Sequence, residues 1–170
     1  MIWGMTESTF TTVHVVLSLI GIGSGLVVMF ILLGGRERDG WTLLFLATTV
    51  ATSVTGFGFP FDRLLPAHKV GIVSLVVLAL AIVGRYALRL AGAWGRIYVV
   101  CAGIALYLNV FVGVVQAFQK VPALTAMAPH QTELPFVVTQ LVVLGLFVVL
   151  TVAAAKRFHG GPVHTAGPRR

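Results

Sequence analysis

Three histidines are the side chains of this chain with the clearest capacity for chemistry. His14 lies inside an apolar stretch, His68 at the start of another, and His130 in a polar connection. Imidazole nitrogens bind zinc and copper, and two of them can hold haem from both sides. The spacing matches no metal-binding motif, however. Each histidine therefore also has a structural interpretation: an intramembrane hydrogen bond for His14, a helix start for His68 and an exposed loop for His130.

Two stripes of small and polar residues have the spacing of one helix face. The first is His14, Ser18, Gly21 and Gly25, and the second is Ala102, Ala105, Asn109, Gly113 and Gln116. Positions three and four apart share a face, and small residues let two helices approach closely in a membrane. We expect both stripes to face the interior and to touch. His14 would then form a hydrogen bond with a neighbour such as Gln116.

The groups that catalysis usually needs are missing from the sequence pattern. No acidic residue lies deep in an apolar stretch, and we find no Gly-rich phosphate loop, nucleophile elbow or paired carboxylates. No proline interrupts the middle of an apolar stretch, as in broken-helix transporters. The sequence therefore favours a protein that is not an enzyme.

The composition requires a membrane. The chain has 170 residues, of which 58% are hydrophobic and 10% charged, whereas soluble domains carry about 25% charged residues. Five uncharged stretches are present, and a helix of about 20 apolar residues spans a bilayer core. We predict an all-α bundle of five transmembrane helices, at 10–33, 41–59, 67–91, 97–119 and 135–156. The third uncharged stretch is the shortest, so His68 and Lys69 would mark one interface of its helix, and Arg85 would extend to the other.

The distribution of basic residues predicts the orientation. Nine Lys or Arg fall in the first loop, the third loop and the C-terminal tail, against three on the other side. The more basic side is normally cytoplasmic, so the N-terminus would lie outside, with the three histidines. Residues 1–158 would form one transmembrane domain and 159–170 a polar, basic cytoplasmic tail. Because the basic residues flank apolar segments, the net charge of +7 indicates topology and no nucleic-acid partner.

Further expectations concern the helix surfaces. Val28 would face lipid with the other bulky residues of the first helix, and the fifth helix would be the most exposed. Trp and Tyr favour membrane interfaces, so Tyr98 and Tyr86 would lie at the cytoplasmic one. Cys101 is the single cysteine, so no disulfide framework exists.

Four segments carry a resemblance to known proteins. They are FTTVHVVLSLIGIGSG, LFLATTVATSVTGFGFPF, LLPAHKVGIVSLVVLA and IYVVCAGIALYLNVFVGVVQAF. Together they resemble a set of small, uncharacterised multi-pass membrane proteins of Gram-negative bacteria, over most of residues 10–158. The resemblance implies an inner-membrane location and no activity. Those proteins often have threonine where this chain has His130, which weakens a three-histidine site and leaves His14 and His68.

Three functions are consistent with these patterns. The leading hypothesis is a non-catalytic accessory or assembly subunit, which contacts the lipid bilayer and associates with other membrane subunits or with itself. The second is a haem, copper or zinc protein with a site at the outer face, built on His14 and His68. The third is a channel or transporter formed by oligomerisation, its path lined by Thr48, Thr52, Asn109 and Gln116.

Overall fold

The fold is all-α in the computed structural model, which describes residues 1–59 and 66–158. The helices are α1 Glu7–Leu33, α2 Asp39–Gly56, α3 Pro66–Ile82, α4 Trp94–Lys120, α5 Pro122–Met127 and α6 Leu134–Arg157, and a π-helix at Val83–Ala87 extends α3. An isolated bridge between Ile2 and Met5 is the one extended pairing in this part of the chain. The predicted all-α class is confirmed. The predicted tail at 159–170 lies outside the described residues.

Four of these helices are long and apolar enough to cross a membrane: α1, α3 with its π-helix, α4 and α6. The second of the five predicted spans, α2, is not among them. It has 18 residues, including five threonines and Asp39, which lower its apolar character. It ends at Gly56, three residues before the predicted end at 59.

The predicted third helix, 67–91, is not a continuous α-helix. Regular geometry ends at Ile82, and the next turn is a π-helix in which the Leu88 N–H donates to the Val83 carbonyl at 2.9 Å. The wider turn accommodates two buried neighbours in sequence, Gly84 and Arg85. A chain reversal with positive φ at Arg89 (48°) then leads to α4.

The five long helices form a closed ring in the order α1, α2, α3, α4, α6, with α6 returning to α1. In addition, α4 touches α1 across the middle of the ring. The short α5, which the sequence analysis did not predict, packs against α4. Pro122 begins α5, where its fixed φ is compatible with a first helical turn.

The two ends of the bundle differ in their polar residues. The end that contains His14, His68 and His130 is called the histidine end below. The opposite end, which contains the α1–α2 loop, the π-helix, the start of α4 and the end of α6, is called the arginine end. Between the middle of the bundle and the arginine end lies a dense apolar core, which includes Leu32, Phe45, Leu78, Val99 and Leu106.

One expectation about helix surfaces is wrong: Val28 does not face lipid but belongs to the apolar core. Tyr98, near the start of α4, is fully buried (0% exposed), and its ring packs against the buried Arg85, 5.4 Å from the guanidinium carbon. Another expectation is confirmed: α6 has the smallest buried share of the four membrane-length helices.

Glycines permit the close contact of α1 with its two neighbours. A Cβ atom at Gly25 would lie 2.5 Å from Leu106 Cδ1 and 2.8 Å from the Phe45 ring. A Cβ atom at Gly21 would lie 2.9 Å from Asn109 Nδ2 and 3.1 Å from Thr49 Oγ1. The small-residue face of α1 is therefore filled by α2 and α4 of the same chain.

Candidate ligand cavity at the histidine end

A cavity of about 350 Å³ lies between α1 and α4 at the histidine end; it is called the α1–α4 cavity below. Its polar lining consists of Thr11, His14, Ser18, Asn109, Gln116 and Lys120. Its apolar lining consists of Val15, Leu19, Ile22, Phe59 and Val112, with Gly56 and Gly113 between them. No acidic side chain is among these lining residues, and Lys120 is the charged one. The cavity therefore combines an apolar wall with hydrogen-bonding groups.

A smaller recess of about 90 Å³ adjoins the same residues between α2, α3 and α4; it is called the α2–α3 recess. It shares His14, Gly56, Asn109 and Val112 with the larger cavity. The remaining polar lining is Thr49, Thr52, Ser53, His68 and Ser74. His14 and Asn109 thus line both the α1–α4 cavity and the α2–α3 recess.

His14 forms a hydrogen bond with α2. His14 Nδ1 lies 2.8 Å from Thr55 Oγ1, and the Thr55 hydroxyl is within 2.8 Å of the Ala51 carbonyl. Because a hydroxyl has one proton, a Thr55 that donates to Ala51 accepts from the Nδ1–H of His14. In the neutral ring with that tautomer, Nε2 is an acceptor. The expected partner of His14, Gln116, is exposed and lines the cavity instead, because α1 packs more extensively along α2 than along α4.

Three polar atoms around the α2–α3 recess are buried without a hydrogen-bond partner: Thr49 Oγ1, Thr52 Oγ1 and Asn109 Nδ2. Leaving one such group unsatisfied costs about 1–3 kcal/mol. Buried polar groups in native proteins nearly always have a partner, either protein or a bound molecule. Three of them in one place make this region a candidate site for bound water or for a ligand with hydrogen-bonding atoms.

The structure brings His14 and His68, the pair considered for haem, copper or zinc, to the same recess. Among the described residues, no group of three His, Cys, Asp or Glu side chains is arranged to hold a metal ion. The recess, at about 90 Å³, is smaller than the roughly 300 Å³ at which ligand pockets begin. His130 is exposed in a loop, where its backbone N–H donates to Glu133 Oε1 at 3.1 Å.

The other residues singled out from the sequence lie on α1, α2 and α4. Ser18 lines the α1–α4 cavity and donates to the His14 carbonyl at 2.9 Å. A Cβ atom at Gly113 would lie 3.4 Å from Ile22 Cδ1, and Ala105 is fully buried. Thr48 donates to the Leu44 carbonyl at 2.7 Å and lines neither cavity. The small-residue stripes of α1 and α4 are therefore in contact. Thr48, which was expected to line a path, faces neither cavity.

An ion cluster around the buried Arg85 at the arginine end was not anticipated from the sequence. Arg85 donates from Nη1 to Glu37 Oε1 at 2.7 Å and from Nη2 to Asp39 Oδ1. The Arg85 side chain is 4% exposed, that of Glu37 is 23% exposed and that of Asp39 is 94% exposed. Burial raises the pKa of the Glu37 carboxyl, and the Arg85 charge opposes part of this rise. The signal available in the sequence was the acidic pair itself, since two of the five acidic residues fall in the arginine-rich first loop.

Comparison of the chain with protein-family models, with curated proteins and with solved structures finds no match in any of the three.

Proposed function

We propose that the protein spans the inner membrane of a Gram-negative bacterium five times, with the N-terminus outside and the C-terminus in the cytoplasm. The position of α2 supports its assignment as one of the five spans, because α2 lies in the ring between α1 and α3. The excess of basic residues at the arginine end supports the orientation, and the resemblance supports the location. Reporter fusions after Gly40 and Arg96 should report cytoplasm, and fusions near Leu65 and Met127 should report periplasm. A periplasmic C-terminus would rule out this topology.

For the function, we propose a non-catalytic accessory subunit whose α1–α4 cavity binds a small, lipid-soluble molecule with an oxygen-bearing head. The observation that carries this proposal is the buried Asn109 Nδ2, which has no hydrogen-bond partner and belongs to a residue that lines this cavity together with His14. At about 350 Å³, the cavity falls within the range of small-molecule sites.

The polar lining defines the chemistry of the bound molecule. Asn109 Nδ2 is a free donor and requires an acceptor such as a carbonyl oxygen. The unprotonated Nε2 of His14 requires a donor such as a hydroxyl. The apolar wall of Val15, Leu19 and Ile22 accommodates a hydrocarbon ring or tail. A quinone-like molecule, whose ring oxygens alternate between carbonyl and hydroxyl, has this combination.

A melting experiment tests the ligand with a defined probe, a short-chain benzoquinone with a decyl tail. We expect the probe to raise the melting temperature of the purified wild type and to have much less effect on Asn109→Leu, which lacks the amide donor. Thr139→Val on α6 is the matched control, because it also removes a polar group from a helix but lies outside both cavities. Equal stabilisation of all three proteins, or of none, would contradict the proposed cavity.

The accessory role is supported by the surface of α6. The glycine faces of α1 and α4 are used within the chain, so they do not provide a partner site. On α6, by contrast, Leu141 and Val142 are 61% and 64% exposed. A photo-crosslinking residue at Val142 should capture a specific membrane protein, whereas one at Val73 on α3, which is 50% exposed, should capture much less. Equal labelling from the two positions would count against a partner on α6.

A channel through one chain is not supported by the packing. The α1–α4 cavity lies at the histidine end, and the apolar core that includes Leu32, Phe45 and Leu106 fills the bundle beyond it. The hypothesis of a path formed by oligomerisation predicts ion flux in reconstituted vesicles, which the accessory role does not.

A further inference from the structure

A long groove runs along the outside of the bundle between α4 and α6, remote from the cavities at the histidine end. Its volume is about 550 Å³, and it is lined chiefly by apolar side chains of the two helices. Val100 and Ile104 form one wall, and Val148 and Val152 form the other. Arg96 and Lys156, both exposed, line the end of the groove at the arginine end. The groove is therefore apolar along its length and cationic at one end.

The groove arises from the contact of small residues at its floor. Gly103 of α4 is packed so closely against Thr151 of α6 that a Cβ atom would overlap the threonine side chain. Farther from the charged end, the rings of Tyr107 and Phe147 lie 6.0 Å apart and limit the groove. Small residues at the floor and large ones at the rim form this groove on the surface that faces the membrane.

The length of the groove corresponds to one leaflet of a bilayer. The α4 residues that line it run from Arg96 to Tyr107, which at 1.5 Å per residue is about 16 Å. A hydrocarbon core is about 30 Å thick, so one leaflet contributes about 15 Å. An acyl chain that begins at the interface would end near Tyr107. A transmembrane helix of a partner protein would need a groove about twice as long.

We propose that this groove binds an anionic phospholipid of the leaflet at the arginine end. One acyl chain lies along Val100, Ile104 and Val148, and the phosphate lies between Arg96 and Lys156. The choice of an anionic lipid rests on charge complementarity, because both charged lining residues are cations and no acidic residue lines the groove in the described part of the chain. Arg96 lies in the first turn of α4, where the helix dipole also favours an anion. The proposal is independent of the ligand proposed for the histidine end.

Native mass spectrometry of the detergent-solubilised protein tests this site with defined lipids. We expect phosphatidylglycerol to bind the wild type several-fold more tightly than phosphatidylcholine of the same chain length. The double variant Arg96→Gln/Lys156→Gln should lose roughly thirtyfold in affinity for phosphatidylglycerol, since each basic residue near a lipid surface contributes about 1 kcal/mol and about 1.4 kcal/mol is a factor of ten. The matched control is Lys69→Gln/Arg89→Gln, which removes the same charge from exposed positions outside the groove.

A second variant tests the apolar part of the groove while keeping both charges. Val148→Trp should fill the groove and reduce the binding of phosphatidylglycerol, with an unchanged melting temperature as proof of folding. Equal losses in the two charge variants would overturn the proposal, because the lipid would then respond to net charge alone. Undiminished binding to Val148→Trp, or no preference of the wild type for phosphatidylglycerol, would overturn it as well.

Discussion

The arginine end and the histidine end both place polar groups inside an apolar bundle, but they satisfy them differently. At the arginine end, the charge of Arg85 has two carboxylates as partners and the rings of Tyr86 and Tyr98 within 5.6 Å of the guanidinium carbon, while its Nε has no hydrogen-bond partner. At the histidine end, three buried amide and hydroxyl atoms have no partner. The contrast separates two uses of polarity: the first holds helices in position, and the second provides a place for another molecule.

The energetic reason lies in the cost of burial. A buried charge without a partner costs several kcal/mol, so a protein keeps one only where the pair is complete. A buried amide or hydroxyl without a partner costs less, about 1–3 kcal/mol. Unpartnered polar atoms in a cavity are therefore tolerable when they belong to residues such as Thr49, Thr52 and Asn109, but not when they carry the charge of an arginine.

Removal of Arg85 should produce the largest loss of stability. Arg85→Met leaves the Glu37 carboxylate half-buried without its cation, and the loss of one partner of a buried pair typically costs about 3 kcal/mol or more. The matched control Arg38→Met, at an exposed position of the same loop region, should change little. Thermal unfolding in detergent measures both. Similar melting temperatures for the two variants would mean that the cluster does not hold the helices.

Overpacking at Gly25 should be the next largest effect. Gly25→Ala places a methyl group against Leu106 and Phe45, and overpacking of a tight core contact costs about 1–3 kcal/mol. Gly23→Ala, two residues away, meets no atom within 4 Å. It should be neutral or stabilising by up to about 1 kcal/mol, since alanine favours helices over glycine. If both variants melt alike, α1 is not packed through Gly25.

Loss of the bond between His14 and Thr55 should have a smaller effect. Interhelical hydrogen bonds in membranes contribute about 0.6 kcal/mol on average, so His14→Ala and Thr55→Val should each destabilise slightly. Because the two side chains share one bond, the double variant should lose less than the sum of the single losses. Additive losses would show that the 2.8 Å contact contributes nothing.

The pH dependence due to Glu37 should be the smallest effect. Burial raises the pKa of this carboxyl above its ordinary value of 4.5, so the folded protein binds the proton more tightly than the unfolded chain does. The resulting stabilisation is complete below pH 4.5 and is lost as the pH rises through the raised pKa. Glu37→Gln should therefore flatten the fall in melting temperature from pH 4 to 7, whereas Glu7→Gln, at an exposed position of the opposite end, should not. An unchanged slope in Glu37→Gln would contradict this assignment.

The helices themselves were largely predictable, because uncharged apolar stretches of sufficient length have few alternatives to helix in a membrane. The predicted 97–119 and 135–156 compare with Trp94–Lys120 and Leu134–Arg157. The π-helix was not predictable. Nothing in its five residues distinguishes an arginine that extends to the interface from one that turns inward, since the inward position depends on Glu37 and Tyr98 from distant segments.

The candidate site was predictable only as a face. The spacing of His14, Ser18 and Gly21 identifies which side of α1 is internal, since helical periodicity is a local property. The partner of His14 depends on how α2 is rotated and where it ends, which is set by packing over the whole ring. The sequence therefore favoured Gln116 where the structure has Thr55.

The contact between Arg157 and α1 joins the first and the last long helix of the bundle, which are synthesised at different times. Arg157 Nη1 donates to the Leu33 carbonyl at 3.2 Å, across 124 residues. Leu33 is the last residue of α1, where backbone carbonyls have no partner within the helix. During synthesis, α1 is made before α6, so this carbonyl receives its guanidinium only when α6 is complete. A chain stopped before Arg157 therefore lacks this donor at the end of α1.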